Sequence, residues 1–307
     1  MPTWFFIALS APFLWALVNI ADSFLVAKFS DKEKEHSSGA LALFASLIAF
    51  LVAIGIWIFT QNISNIPVVD KILLLTSGVL TIVWVILYLF ALEMEETSKV
   101  TPWFLVIPVF GYILGYFFLG ETLSLHQILG SLITFLGLIV ISIDFSGENR
   151  KIKHKPVFYM LCVALCVSIS GVLFKYVTIE NNFWVSSFWE YLGVGFSGLF
   201  IYLFIPHYRN MFRDMNKKGG YKIFLVNVVT EFMTISGNLL TNYALLLAPV
   251  ALVYMVGSFQ PAIVLLLTLV FTKFWPSVAS EDFSKRIIIP KVIAILIMLF
   301  GSFVMFF

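Results

Sequence analysis

Tyr221–Leu247 reads YKIFLVNVVTEFMTISGNLLTNYALLL, a stretch long and apolar enough to cross a membrane that nevertheless carries Asn227, Glu231, Thr234, Asn238, Thr241 and Asn242. At about 100° per residue these polar positions fall within an arc of roughly 100° on one side of a helix. Such a row faces protein or water and not lipid. A carboxylate well inside a span costs at least a few kcal/mol unless it is paired, protonated or hydrated, so Glu231 marks a functional-site candidate. The rest of the chain has to supply the cavity it faces.

Working outward, the 307 residues are 61% hydrophobic, 17% aromatic and only 12% charged, and the mean hydropathy is +1.00. Those values describe an integral membrane protein. A net charge of +2 gives no reason to expect nucleic acid as a partner. Cys162 and Cys166 lie one helical turn apart in an apolar span and read as packing residues. The first basic residue is Lys28, so the opening segment reads as a span and not a cleavable leader.

A window of about 20 apolar residues predicts an all-α membrane protein of ten transmembrane helices, at 4–27, 39–60, 72–93, 100–119, 124–144, 156–178, 183–205, 221–247, 249–273 and 287–306. The longest polar connections are Phe145–Lys155, Pro206–Gly220 and Phe274–Arg286. Internal matches suggest two halves. Ser23-Phe24-Leu25-Val26-Ala27-Lys28 aligns with Ser170-Gly171-Val172-Leu173-Phe174-Lys175 at an offset of 147, and Ala91-Leu92, Val100 and Pro108 align with Ala244-Leu245, Val253 and Pro261 at an offset of 153. The expected organisation is a first five-helix repeat over 1–146, a basic linker over 147–155, and a second repeat over 156–307. An odd number of helices per repeat inverts one copy relative to the other.

The run Pro108-Val109-Phe110, then Leu119-Gly120-Glu121-Thr122-Leu123-Ser124, then Gly130 and Gly137 resembles the signature of EamA-type members of the drug/metabolite transporter superfamily. Ala248-Pro249-Val250-Ala251-Leu252 through Gln260-Pro261-Ala262 resembles the same start in the second half, where Phe274 stands in place of Glu121 and an insertion carries Glu281-Asp282. The resemblance implies a ten-helix secondary transporter moving small metabolites through a central cavity, more often outward than inward, in a bacterial inner membrane. Charge bears on orientation. Lys and Arg concentrate beside the odd connections, which the positive-inside rule assigns to the cytoplasm with both termini outside, whereas relatives are usually described with both termini inside.

Of the acids, Glu231, Asp22 and Glu190 lie well inside spans, whereas Glu93, Glu95, Glu96, Glu121 and Asp144 stand at helix ends within reach of water. Asp22 shares a face of the first helix with Trp15 and Asn19, a set that suits an amine or hydroxyl ligand. The competing reading pairs Asp22 with Lys175 or Lys28. Glu190, with Ser186 one turn before it, is either a shallow hydrated acid or a cavity wall. Tyr254 and Gln260, with Trp103 and Tyr112, are plausible lining. Gly111, Gly115, Gly130, Thr134 and Gly137 form small-residue faces for helix packing, while Pro108 and Pro261 are expected to kink their helices mid-span.

No phosphate-cradling glycine loop, metal-ligand cluster or nucleophile elbow is present in the sequence, so neither enzymatic activity nor a cofactor is expected. The leading expectation is a secondary transporter of a small polar or amphipathic metabolite. Its site would draw on Glu231, Asn238, Asn242 and Asn227 from the eighth helix and on Asp22, Asn19 and Trp15 from the first, with Glu190 and Tyr254 nearby. A desolvated carboxyl there can exchange a proton. Expected partners are the substrate and membrane lipids, with the protein a monomer or homodimer. A flippase for a lipid-linked headgroup and a non-transporting scaffold or receptor remain alternatives, the latter because a polar row can simply cement a bundle.

Overall fold

A computed structural model describes residues 2–29, 38–94, 100–142, 154–274 and 285–306. Every regular element among them is helical: α1 (Thr3–Phe29), α2 (Ser38–Phe59), α3 (Val68–Met94), α4 (Ile107–Leu119), α5 (Leu125–Ser142), α6 (His154–Thr178), α7 (Phe183–Phe204), α8 (Pro206–Leu247), α9 (Val250–Gly257), α10 (Gln260–Phe274) and α11 (Lys285–Phe306). A 3₁₀ turn over Thr101–Val106 leads into α4. Six described segments are long and apolar enough to cross a membrane, or seven if α7 and the helical start that follows it count as one span; three shorter apolar helices accompany them. Large apolar side chains such as Phe117, Phe200, Phe204 and Phe300 face outward, where lipid satisfies them. The protein is a multi-pass integral membrane protein.

Local signals set several ends. Asn182 caps α7, its Oδ1 accepting from the Trp184 and Val185 amides. Ser124 and Gln127 form a reciprocal capping box at the start of α5, with bonds of 2.9 and 3.3 Å. Helix α4 ends at Gly120, whose φ of 66° is the left-handed conformation that glycine adopts without a side-chain clash.

Three boundaries differ from the sequence reading. The stretch Pro206–Gly220, expected as a polar connection, is the first part of the 42-residue helix α8. Pro206 at the first turn opens that segment, whose low hydropathy hides it from an apolar-window reading. The ninth predicted helix is broken at Ser258 and Phe259 into α9 and α10. Pro261 lies just inside α10 and Pro108 just inside α4, so neither proline kinks a helix interior; each opens one, where its missing N–H costs nothing. The two prolines that align between the halves thus sit at matching interruptions.

The core lies between the halves. Helix α3 packs on α6 as α1 packs on α8, α3 on α7 as α2 on α8, and α4 on α6 as α1 on α9 and α10; α2 meets α7, α4 meets α9 and α5 meets α11. Each of these interfaces joins the first 142 residues to the last 154 and has a counterpart under exchange of the halves. Small residues permit the approach. Gly130 and Gly137 of α5 lie against the backbone of α11, bearing out their reading as packing positions.

Candidate functional site

The closest backbone approach brings the polar residues together. On α3, a Cβ at Gly78 would overlap the carbonyl oxygen of Glu190 and lie 2.6 Å from the Val194 nitrogen, and Gly193 of α7 sits against the main chain of Leu75. Helices α3 and α7 therefore touch main chain to main chain, and Ser77 is carried to the Glu190 carboxyl.

Glu190 is buried. Ser77 Oγ donates to its Oε1 at 2.7 Å, and Asn242 Nδ2 donates to its Oε2 at 2.6 Å. Behind Ser77 stands Ser170 of α6, with the hydroxyls 2.7 Å apart. Four helices thus converge on one carboxyl through neutral groups. Chemically, the arrangement is a hydrogen-bond chain that can run either way. Ser170 can donate to Ser77 and Ser77 to an ionised Glu190, or a protonated Glu190 can donate to Ser77 and Ser77 to the Ser170 carbonyl, 3.2 Å from its Oγ. Ser186 and Ser187, on the turn before Glu190, are fully buried, and neither hydroxyl has a hydrogen-bond partner among the described residues.

The expected row on α8 divides. Asn242 joins Glu190, so an amide and an acid singled out separately in the sequence are in fact bonded. Glu231 is half-buried one turn before Ile235, whose carbonyl accepts the Tyr191 hydroxyl at 3.3 Å, and its carboxyl lies within electrostatic reach of that phenol. Thr234 bonds back to the Thr230 carbonyl at 3.0 Å, and the Asn227 carbonyl accepts from Thr230; both bonds stay within α8. Asn238 is half-buried on the same helix.

From α1, the Trp15 indole reaches the Thr234 carbonyl at 3.4 Å and lies against Gly237, making it a packing contact between α1 and α8. Asn19 is exposed, and the side chain of Asp22 lies outside those described. Tyr254 threads between Gly111 of α4 and Gly171 of α6, and its hydroxyl donates to the Val167 carbonyl at 3.0 Å. It is mainly a wedge. Tyr254→Phe keeps the wedge and removes one hydrogen bond, so a loss of about 1 kcal/mol is expected in a denaturation series, with any ligand response preserved.

Two residues were placed differently by the sequence. Glu121, read as a water-accessible helix terminus, and Lys175, offered beside Lys28 as an alternative partner for Asp22, form an ion pair at 2.6 Å with side chains only 13% and 10% exposed. The second Glu121 oxygen accepts the Val250 amide at 2.8 Å at the start of α9, and Lys175 Nζ donates to the Ala248 carbonyl at 2.7 Å. The left-handed turn at Gly120 folds the carboxylate back over Gly115, which leaves room because it has no Cβ. Ser77 and Ser170 were missed altogether. Their only sequence signal is that each precedes a glycine, as Ser77-Gly78 and Ser170-Gly171, inside an apolar span.

A shallow apolar depression of about 610 Å³ on α10, lined by Leu269, Val270, Lys273 and Phe274, includes none of these residues. Among the described residues no His, Cys, Asp and Glu cluster suits a metal ion.

The sequence profile of the EamA-like transporter family matches residues 2–143. That first part of the chain is similar to the EamA-like transporter family. The family lies in the drug/metabolite transporter superfamily. No curated protein matches the chain closely enough to align with it. Among solved structures, one described only as "Crystal structure of protein" superposes with a TM-score of 0.72 over 98% of this chain and 96% of its own, at 15% identity. At that identity the likeness carries the fold alone.

Proposed function

We propose that the protein is a drug/metabolite-type secondary transporter built from ten spans in two inverted five-helix repeats, and that Glu190 is the central acid of its translocation site. The observation that carries this reading is a buried carboxyl held, among the described residues, by the neutral donors Ser77 and Asn242 at the crossing of α3, α6, α7 and α8. A structural acid in such a place is ordinarily matched by a cation. Here the interior lysine, Lys175, is taken by Glu121. A carboxyl with no fixed counter-ion among the described residues suits a group that takes up and releases a positive charge, either a proton or the ammonium of a small polar or amphipathic metabolite.

The exchange symmetry of the helix interfaces and the matched breaks before Pro108 and Pro261 support the two-repeat reading. On this view Glu231, Asn238 and Tyr191 extend the site along α8 and α7. The chain would act in a bacterial inner membrane, with export the direction that the family favours and proton exchange on Glu190 the coupling step.

The test is ligand-dependent thermal stability of the purified protein against a panel of amines and other polar metabolites. Glu190→Gln can keep the network, because an amide can accept from Ser77 and donate to a reoriented Asn242. It should therefore melt close to wild type and lose the shift produced by the substrate. If a ligand stabilises Glu190→Gln as well as it stabilises the wild type, Glu190 is not in the site.

A further inference from the structure

Each serine of the Ser77–Ser170 pair has two places to send its proton. Ser77 Oγ lies 2.7 Å from Glu190 Oε1 but also 3.2 Å from the Ser170 carbonyl, and Ser170 Oγ lies 2.7 Å from Ser77 Oγ but also 3.3 Å from the Ser77 carbonyl. When both hydroxyls donate to the carbonyl of the opposite helix, neither hydrogen points at Glu190. Ser77 Oγ, Ser170 Oγ and the carboxylate then turn lone pairs toward one another, an arrangement that is repulsive until a cation sits among them.

The rest of the cluster suits that state. Asn242, now donating through Nδ2, can turn its amide so that Oδ1 faces the carboxyl's side of the site and adds another oxygen. Helical side chains tilt toward the N-terminus of their helix, so Glu190 leans over the turn that carries Ser186 and Ser187. Both of those hydroxyls are fully buried and have no hydrogen-bond partner among the described residues. Buried hydroxyls are ordinarily paired, so these two point to a ligand or its water beside the carboxyl. Hydroxyl, amide and carboxylate oxygens are hard ligands, and one carboxylate balances one positive charge. The backbone limits the size of the ion: α3 and α7 touch main chain to main chain where Gly78 meets Glu190, and the oxygens cannot spread far without parting them. Asn242 is half-buried while Ser77, Ser170 and Glu190 are buried, so the cluster has its edge toward α8.

We propose that Glu190, Ser77, Ser170 and Asn242 form a site for a sodium ion, which competes with the proton for the same carboxyl. The inference deepens the transport reading and rests on it for the role of Glu190, to which it adds a coupling ion. Loading neutralises the carboxylate without protonating it: the two serine hydroxyls swing to the Ser170 and Ser77 carbonyls, and the ion takes the place among the oxygens. Because the ligands come from α3 in one half and from α6, α7 and α8 in the other, the ion ties the halves together where they cross.

The test follows the melting temperature of the purified full-length protein, at one pH and constant ionic strength, as choline chloride is replaced by sodium chloride or by potassium chloride. Wild type should gain stability saturably with sodium and not with potassium. Ser170→Ala leaves Ser77 bonded to Glu190 and should melt close to wild type in choline, yet need about 10-fold more sodium for half of the gain, as expected when one polar contact to a charged group is removed. Glu190→Gln should show no gain. Ser168→Ala, which removes a hydroxyl bonded to the Ile107 carbonyl elsewhere on α6, should keep the wild-type sodium response. The proposal is overturned if sodium and potassium stabilise the wild type equally, or if Ser170→Ala responds to sodium as the wild type does. The two readings fail separately. Equal sodium and potassium curves beside a metabolite shift that needs Glu190 remove the sodium site and keep the transport site; a sodium gain that needs Glu190 beside a metabolite shift that does not would do the reverse.

Discussion

Lys175→Met should lower the unfolding free energy by about 3–5 kcal/mol, the usual cost of removing one member of a buried ion pair and leaving the other charge uncompensated. The loss falls at a junction and not on one helix. The Glu121 carboxylate joins the end of α4 to Lys175 on α6 and to the first amide of α9, while Lys175 also holds the last turn of α8 through the Ala248 carbonyl. Glu121→Gln should cost less than Lys175→Met. An amide oxygen can still accept from Val250, and Lys175 keeps its bond to Ala248. The double variant Glu121→Leu/Lys175→Met should be more stable than the sum of its parts implies, with a coupling of about 2 kcal/mol. Denaturant titration of the four proteins of the cycle in one detergent measures it. Additive losses would mean that the pair does not act as a unit. Aligned by the internal repeat, the reciprocal pair would join Lys28 to position 274, where the chain has Phe274.

Gly78→Ala is the second large effect. A methyl there would enter the carbonyl oxygen of Glu190 and crowd the backbone nitrogen of Val194, and a main chain cannot rotate out of the way as a side chain can. Helices α3 and α7 would have to separate, at a cost of about 3 kcal/mol or more. Ser77 moves with α3, so its 2.7 Å bond to Glu190 would be lost in the same step. The expected result is a protein with a much lower melting temperature and no ligand-induced shift. Gly55→Ala serves as the control, because a Cβ at that glycine meets nothing within 4 Å; it should melt within a few degrees of wild type, as surface substitutions usually do. A Gly78→Ala protein as stable as Gly55→Ala would show that the α3–α7 contact is not as close as described.

The two variants separate architecture from the site. Lys175→Met removes a junction whose groups are fully paired, whereas Glu190→Gln removes a charge while leaving its hydrogen bonds replaceable. Stability should therefore fall in the first and ligand response in the second.

Composition and hydropathy alone identify a bundle of membrane helices, because lipid permits no unpaired backbone and a run of about 20 apolar residues has no other stable form in it. The small-residue face on α5 could likewise be read directly, since it acts through its own backbone and immediate neighbours; the role of Pro108 and Pro261 could not, because each was expected to kink a helix mid-span and instead opens one. The extent of α8 could not. Its first fifteen residues are polar and basic, and hydropathy cannot distinguish a surface helix from a connection.

The site was legible only in part. Periodicity placed Glu231, Asn238 and Asn242 on one face, and burial cost marked Glu190, but nothing local said that Asn242 bonds to Glu190 or that Ser77 and Ser170 complete the cluster. Those partners are separated in sequence by 52, 113 and 93 residues in their pairs, and such pairings depend on how helices from opposite halves cross. The same is true of Glu121 and Lys175, each of which looks like an ordinary helix end when read alone. The sequence determined that the chain is a membrane-helix bundle and which residue types are too costly to be idle within it, because those follow from the energetics of single groups in lipid. The tertiary structure decided which of them meet, because contact between distant helices is set by close backbone approach at glycine, a property of two segments at once.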